Sequence, residues 1–454
     1  MKVAVMGAGH VGLVTCASLA AIGHEVSGFD IDDAKVRSLQ AGGTPFYEPG
    51  LDELLVRTTE SGALTFSADV NQAGSGADVV FICVGTPARL NGEANLVAVE
   101  EAARTVARNA KRGAVIVEKS TVPAGTAARV RGVLQLERPD IAEHLYFVSN
   151  PEFLREGQAV QDSLQPDRIL VGADSPHAFA VLRELYAPIL QNGSRMIETD
   201  IATAELSKHA CNAFLALKIS YANALARICE RAGADVVSVT EVMGSDARIG
   251  PHFLQSGLGY GGYCFPKDLV AFQRLAARLG YDFQLLADVA AINDEAVESV
   301  VDKVRDALWN MEGKRIALLG LSFKPGTDDV RFSPALKLAE RLVEEGADVV
   351  GYDPQACSNA VAALPTLEIG ADAYETVRGA HCAILSTDWP EFRSLDLELV
   401  RNLLGYPILI DARNLYEPDE AARAGLTYYS VGRSAGDAAA RERVRAPVQA
   451  LGGP

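Results

Sequence analysis

Lys2-Val-Ala-Val-Met6-Gly7-Ala-Gly9-His10-Val11-Gly12 opens the chain, and its reading decides the fold. Residues 2–6 have the length and apolar content of a buried strand, and residues 13–22 read as a small-residue helix stopped by Gly23. A G-x-G-x-x-G pattern alone arises by chance; its context gives it weight. A second strand over residues 25–29 ends in Asp30, 23 residues after Gly7. In that arrangement the glycines let backbone amides and a helix N-terminus approach a pyrophosphate, and the carboxylate hydrogen-bonds the ribose hydroxyls. Gly7, Gly9, His10, Val11, Gly12 and Asp30 are therefore candidate cofactor-binding residues, and the charge on Asp30 selects NAD over NADP by repelling a 2′-phosphate. The plainer reading of Asp30 is a loop-entry carboxylate, with Lys35 either paired to it or facing the cofactor.

Working outward, apolar strands over residues 79–84, 114–118 and 146–149 alternate with helical stretches such as 98–110, which predicts a parallel sheet covered by helices. Residues 1–200 form one doubly wound Rossmann-like domain on this reading. From Asp200 the texture changes. Residues 204–231 are helix-forming without proline or glycine, and further helical segments follow at 268–279 and 284–308. This predicts a central all-helical region over 201–310, whose long helix either pairs with a second subunit or has only a structural role. Lys314-Arg-Ile-Ala-Leu-Leu-Gly320 then echoes the opening strand, and Val349-Val-Gly-Tyr-Asp353 echoes the strand that ends in Asp30. A second Rossmann-like domain is expected over 311–432, and a mobile tail over 433–454.

The length of 454 residues agrees with about three domains. An apolar fraction of 48% and a charged fraction of 22% exclude disordered, collagenous and fibrous chains. A net charge of −17 argues against surfaces for nucleic acid or anionic lipid. Seven cysteines without a Cys-x-x-Cys pair or zinc-ligand spacing point to a reduced chain with no structural metal. The apolar run at the start is too short for a signal peptide, and no stretch nears the ~18 residues of a membrane helix, so a cytoplasmic location is expected.

Gly257-Leu-Gly259-Tyr-Gly261-Gly262-Tyr263-Cys264-Phe-Pro266-Lys267-Asp268 is the most informative stretch for chemistry. So many glycines make a poor element interior, and they predict close backbone approach to a ligand with Cys264 at the loop's edge. A helix beginning near Lys267 and Asp268, together with the lysine itself, favours thiolate over thiol, which prepares a nucleophile. Cys211 is the rival, within one turn of Lys208 and Asn212. Those two share a helical face and can hold an oxyanion or a water, although Lys208 taken alone reads as a solvated helix lysine.

The chain as a whole resembles the nucleotide-sugar 6-dehydrogenases. The matching motifs are Gly7-x-Gly9-x-Val-Gly12, Tyr47-Glu-Pro-Gly-Leu51, Val84-Gly-Thr86-Pro87, Ser120-Thr121-Val-Pro123, Asn150-Pro-Glu152-Phe153-Leu154-Arg-Glu156-Gly157, Pro166-Asp-Arg168, the Lys208 to Asn212 turn, the cysteine loop, and Phe323-Lys324-Pro-Gly-Thr-Asp-Asp-Val-Arg331. The resemblance implies a four-electron oxidation of a sugar primary alcohol to a carboxylate with two NAD in turn, through a thiohemiacetal and a thioester on Cys264. It implies that Lys208 and Asn212 stabilise oxyanions, that Asp268 with a water serves as base, and that Thr121 and Glu152 position the hydrolytic water. Thr86, Thr121, Glu156, Lys267 and Arg331 match positions near NAD. Glu152, Phe153, Leu154, Lys208, Asn212, Phe253, Leu254, Gln255, Ser256, Gly257, Gly261, Phe323 and Lys324 match positions that hold the nucleotide sugar, and Arg248 matches an arginine reaching a neighbouring subunit's substrate.

Tyr263 departs from the family, which usually has serine there. The Cys264-Phe-Pro266 and Pro166-Asp-Arg168 wording favours the UDP-glucose branch over those acting on GDP-mannose or N-acetylated sugars, and a homodimer or higher homo-oligomer is implied. A two-electron β-hydroxyacid dehydrogenase would also combine a dinucleotide domain with a Lys-x-x-x-Asn pair, but it has no use for Cys264 or for a third α/β domain. A silent NAD-binding scaffold would not need Cys264, Lys208 and Asp268 together.

Overall fold

The computed structural model describes residues 1–433 and divides into two compact units: Met1–Asn212 with Val270–Asp282, and Ala213–Leu269 with the chain from Phe283 onward. Residues 434–454, most of the expected mobile tail, lie outside the described residues. Arg433, the first residue of that expected tail, is buried; its Nε lies 3.2 Å from Asp235 and its Nη1 donates to the Tyr416 carbonyl at 3.1 Å.

The first unit is built on eight strands: β1 (Lys2–Met6), β2 (Glu25–Phe29), β3 (Leu64–Ser67), β4 (Val79–Ile82), β5 (Val115–Glu118), β6 (Tyr146–Ser149), β7 (Arg168–Ala173) and β8 (Arg195–Thr199). They run in the order β3-β2-β1-β4-β5-β6-β7-β8. Every residue of β4 and β5 is buried, as expected of central strands covered on both faces. One apolar layer is formed by Leu13, Val14 and Ala17 of the helix His10–Ala21 with Leu51 and Leu54, and the opposite layer by Val99, Ala103, Val106, Val130 and Leu134. The expected all-parallel sheet needs one correction. β6 and β7 pair antiparallel, with Ser149 opposite Gly172. The chain leaves the carboxyl end of β6 and turns back from there, so the segment from Asn150 to Arg168 lies beyond that end of the sheet.

Between β8 and the next strand the described chain contains helices only: Ile201–Ala232, Val236–Ser245, Cys264–Arg278 and Gln284–Leu308. The central region is thus all-helical, with a 32-residue helix as its longest element. Asp235 caps the second of these helices by accepting from the Val237 N–H.

The second unit carries a six-stranded, wholly parallel sheet: β9 (Arg315–Leu319), β10 (Asp348–Tyr352), β11 (Glu368–Ile369), β12 (Cys382–Leu385), β13 (Ile408–Asp411) and β14 (Thr427–Ser430), in the order β11-β10-β9-β12-β13-β14. Val297, Val300, Val301 and Val304 of the helix Gln284–Leu308 pack into the same core as Ile316, Leu318 and Ile410 of this sheet. Among the described residues no helix is long and apolar enough to cross a membrane, and no group of His, Cys, Asp and Glu is able to hold a metal ion.

Candidate active site

In the first unit the glycine loop has the shape its sequence requires. Gly7 adopts a positive φ of 96° and donates to the Phe29 carbonyl at 2.7 Å. A Cβ on Gly7 would lie 2.6 Å from the Cys83 carbonyl oxygen, and one on Gly12 would collide with the Gly7 carbonyl. A Cβ on Gly9 would meet nothing within 4 Å, so the backbone is open on that side. Asp30, at the end of β2, accepts from the Ala8 N–H at 2.8 Å and the Asp32 N–H at 3.0 Å, and Lys35 Nζ donates to it at 3.0 Å. Burial alone pushes this carboxyl up, but those N–H groups and the ammonium outweigh it and hold Asp30 below the usual carboxylate range. Of the two readings left open for Lys35, the structure has it paired with Asp30. The loop thus fits a dinucleotide: a close turn, open backbone at Gly9 and an ionised carboxylate at the strand end.

The first unit also carries four of the six expected catalytic residues, Thr121, Glu152, Lys208 and Asn212. Lys208 Nζ lies 3.0 Å from Glu152 Oε1 with both side chains almost fully buried, so the solvated reading of this lysine fails. An unpaired lysine so deep would cost several kcal/mol, which makes the carboxylate a requirement rather than an ornament. Glu152 also accepts from the Leu154 N–H at 2.9 Å, fixing the turn that presents Phe153. The Phe153 ring has the Arg168 guanidinium 4.0 Å and Lys208 Nζ 5.2 Å from its centroid. Asn212, one turn beyond Lys208, is buried, and Thr86 Oγ1 donates to the Thr121 carbonyl at 3.0 Å.

The second unit carries the cysteine loop. On the side where a side chain would project, its glycines meet protein atoms at close range. A Cβ on Gly257 would sit 2.6 Å from the Ala412 carbonyl and one on Gly262 2.8 Å from the Phe323 ring; Gly259 abuts Asn293 and Gly261 the Phe332 carbonyl. Asn293 locks the loop further, accepting from the Tyr260 N–H at 2.7 Å and donating to the Tyr260 carbonyl at 3.1 Å. The helix beyond begins at Cys264 itself, three residues earlier than expected. Pro266 is compatible because the first turn needs no intrahelical N–H donor. Cys264 therefore lies in the turn where helix amides carry their positive end. In the same helix Lys267 Nζ donates to Asp268 Oδ1 at 2.7 Å, both buried. Burial pushes the thiols of Cys16, Cys83, Cys229, Cys357 and Cys382 up, to about 12 for Cys83 and Cys382, which disfavours the thiolate at those five positions.

Of the expected sugar-holding residues in this unit, Leu254, Ser256 and Gly257 are buried, Gln255 is exposed, and Lys324 Nζ stands 5.8 Å from the Phe323 ring centroid. Phe253 is held at a φ of 64°, a strained value for an aromatic residue. Arg248 is exposed and paired with Asp246.

Three residues near these groups were not singled out by sequence. Glu48 accepts from the Gly157 and Ala159 N–H groups at 2.7 Å each and lies 3.0 Å from His10 Nε2; its Tyr47-Glu-Pro motif was visible, but the two amides it accepts from lie over a hundred residues away. Lys119 donates to Asn150 Oδ1 at 3.3 Å, and burial pulls its ammonium below the ordinary lysine range. Arg413 donates to Asp388 at 2.8 Å and packs against Gly257; no motif marked it.

Three family models match the chain in succession, described as the UDP-glucose/GDP-mannose dehydrogenase family NAD binding domain over residues 1–190, central domain over 202–295 and UDP binding domain over 317–418. The UDP-glucose 6-dehydrogenase YwqF of Bacillus subtilis is 43% identical over 442 residues, covering 96% of this chain and 98% of that protein. The UDP-glucose 6-dehydrogenase of Rhizobium meliloti is 43% identical over 437 residues, 95% of this chain and 100% of that protein. Among solved structures, a UDP-glucose dehydrogenase from Pyrobaculum islandicum superposes with a TM-score of 0.88 at 37% identity over 96% of this chain and 98% of that one. A UDP-D-ManNAc dehydrogenase from Pyrococcus horikoshii gives 0.83 at 29% identity, over 95% and 99%.

Proposed function

We infer the reaction from one premise: the chain belongs to the UDP-glucose/GDP-mannose dehydrogenase family. It is an NAD-dependent oxidoreductase that converts UDP-glucose to UDP-glucuronate. Each sugar loses four electrons, so bound NAD supplies a hydride acceptor twice. The glycine loop from Gly7 to Gly12 and Asp30 would hold it, with Thr86, Glu156, Lys267 and Arg331 at its other contacts.

Between the two oxidations the sugar is an aldehyde, and Cys264 retains it. The Cys264 sulfur adds to the aldehyde carbon, and the carbonyl oxygen takes up a proton to give a thiohemiacetal. Its oxidation leaves a thioester; water then adds to the acyl carbon, the C–S bond breaks and the sulfur regains its proton as the acid departs. Lys208 and Asn212 stabilise the oxyanions, Asp268 removes protons, and Glu152 and Thr121 position the water. Phe153, Leu154, the stretch from Phe253 to Gly257, Gly261, Phe323 and Lys324 hold the nucleotide sugar.

The observation that carries this reading is Cys264 in the first turn of its helix with the buried Lys267–Asp268 pair in the same helix. Cys264→Ala tests it: UDP-glucuronate formation should fall below detection while NAD still binds, and acid formation at the wild-type rate overturns the covalent route. We further assign residues 1–200, 201–310 and 311–432 to a cofactor domain, a helical dimerisation domain and a UDP-sugar domain, in a cytoplasmic homodimer or higher homo-oligomer. Phe214, Tyr221 and Ile228 support the pairing, since they lie at seven-residue spacing on the long helix and are all more than half exposed. Arg248, exposed beside Asp246, would reach the neighbouring subunit's substrate.

A further inference from the structure

Tyr263 is half-buried, one residue before Cys264, and has so far been given no role. Its ring carries two cations: the Arg331 guanidinium carbon is 4.5 Å from the centroid and Lys267 Nζ is 5.6 Å from it. Both are inside the ~6 Å reach of cation–π attraction. Each cation is also tethered by a carboxylate. Asp329 takes Arg331 Nε at 2.9 Å and Nη2 at 2.7 Å, and Asp268 takes Lys267 Nζ at 2.7 Å. The two cations repel one another, and their separate tethers do nothing to fix the distance between them. An aromatic ring attracts both without removing either formal charge, and with only two side-chain torsions it sets their spacing. The hydroxyl contributes no charge, because burial pushes the phenol up and the two cations only partly oppose it.

We propose that Tyr263 is a positioning residue for the cofactor: by holding Arg331 and Lys267 on one ring it presets two cations for the anionic dinucleotide, and thereby sets the affinity for NAD and not the rate of the chemical steps. This rests on the assignment of Arg331 and Lys267 to NAD made above. The ring acts and its hydroxyl does not, so conservative and non-aromatic replacements separate cleanly.

The test is steady-state kinetics on the full chain with NAD and UDP-glucose varied independently. Tyr263→Phe should keep kcat and both KM values within about twofold. Tyr263→Leu, which keeps bulk and loses the π-face, should raise the KM for NAD about tenfold, with kcat and the KM for UDP-glucose within about twofold. Tyr263→Met is measured beside it, so that poor folding of one variant leaves the comparison intact. An unchanged KM for NAD in both non-aromatic variants overturns the proposal, as does a Phe variant that loses as much as Leu, or a loss confined to kcat or to UDP-glucose. Wild-type enzyme measured first separates the levels. Absence of NAD-dependent UDP-glucose oxidation there defeats the functional reading and this proposal together, whereas normal wild-type turnover with a wild-type-like Leu variant defeats the ring platform alone.

Discussion

The sheet of β1 to β8 and the sheet of β9 to β14 start with the same turn and use it differently. Gly7 and Gly320 both have positive φ, 96° and 105°, and both donate to the carbonyl at the end of the neighbouring strand, Phe29 at 2.7 Å and Tyr352 at 2.8 Å. Each neighbouring strand is followed by an aspartate that binds back to the turn. After Gly7 the chain enters a helix at His10, because Gly12 lets that helix lie against the Gly7 carbonyl. After Gly320 it runs through a long loop to a helix at Pro334. Among the described residues Asp30 has a lysine, Lys35, as its only side-chain partner. Asp353 accepts from the Leu321 N–H at 2.8 Å, from the Ser322 hydroxyl at 2.8 Å and from Trp389 Nε1 at 3.1 Å, and is 2% exposed. A serine and a tryptophan thus take up the second aspartate from inside the protein. The shared topology supplies a turn; what occupies the turn decides whether a dinucleotide can enter.

The largest expected break of this comparison is Gly12→Val. Its side chain cannot coexist with the Gly7 carbonyl, so NAD binding should fall at least a hundredfold or the first unit should fail to fold; titration with NAD together with a thermal melt reads both, and near-native binding would contradict the account of the loop. Next comes the exchange between the two aspartates. Asp30→Ala should weaken NAD about tenfold and narrow the preference over NADP, since a charged hydrogen bond and a repulsion are both lost. Asp353→Ala should leave NAD affinity alone and lower the melting temperature by several degrees, because it orphans buried donors. If the two effects were exchanged, the second sheet would be the cofactor site.

A smaller effect separates the strands that hold the same place in each sheet, β5 and β13. Asp411, ending β13, takes N–H groups of Arg413, Leu415 and Tyr416 and the Tyr428 hydroxyl. Glu118, ending β5, takes the Ser120 N–H at 2.9 Å, while its Oε2 has no hydrogen-bond partner among the described residues. Burial raises Glu118 to about 8. In the unfolded chain such a group titrates near ~4.3, so between these values the folded state holds a proton that the unfolded state has lost. Stability contributed by this site therefore falls as pH climbs through that window and levels above it. Glu118→Gln removes the dependence. Its melting temperature should exceed the wild type by an amount that grows from pH 5 to about 8 and then stays constant, and a gap that shrinks with pH would refute the assignment.

What the sequence revealed follows the same division. The first glycine turn, Asp30 and the echo at Gly320 were legible because strand, turn and next strand are close in the chain and each residue type has a local reason. The long helix was legible from residues 204–231, which contain no proline or glycine. The antiparallel β6–β7 pair was not, because residues 169–173 are apolar in a way that fits either direction. The glycines from 257 to 262 announced close approach without saying to what, and their partners, Asn293, Phe323, Phe332 and Ala412, are distant in sequence. Lys208 looked solvated for the same reason: its carboxylate, Glu152, belongs to a loop beyond β6.

The central claim is that one active site oxidises the same carbon twice before releasing it. Its most direct measurement is the number of NADH formed per UDP-glucose consumed, with GDP-mannose and UDP-N-acetylglucosamine run alongside. Two NADH per UDP-glucose, with UDP-glucuronate as the product, is the predicted result. One NADH with a free aldehyde would contradict the tethered double oxidation, and turnover with another sugar but none with UDP-glucose would contradict the substrate.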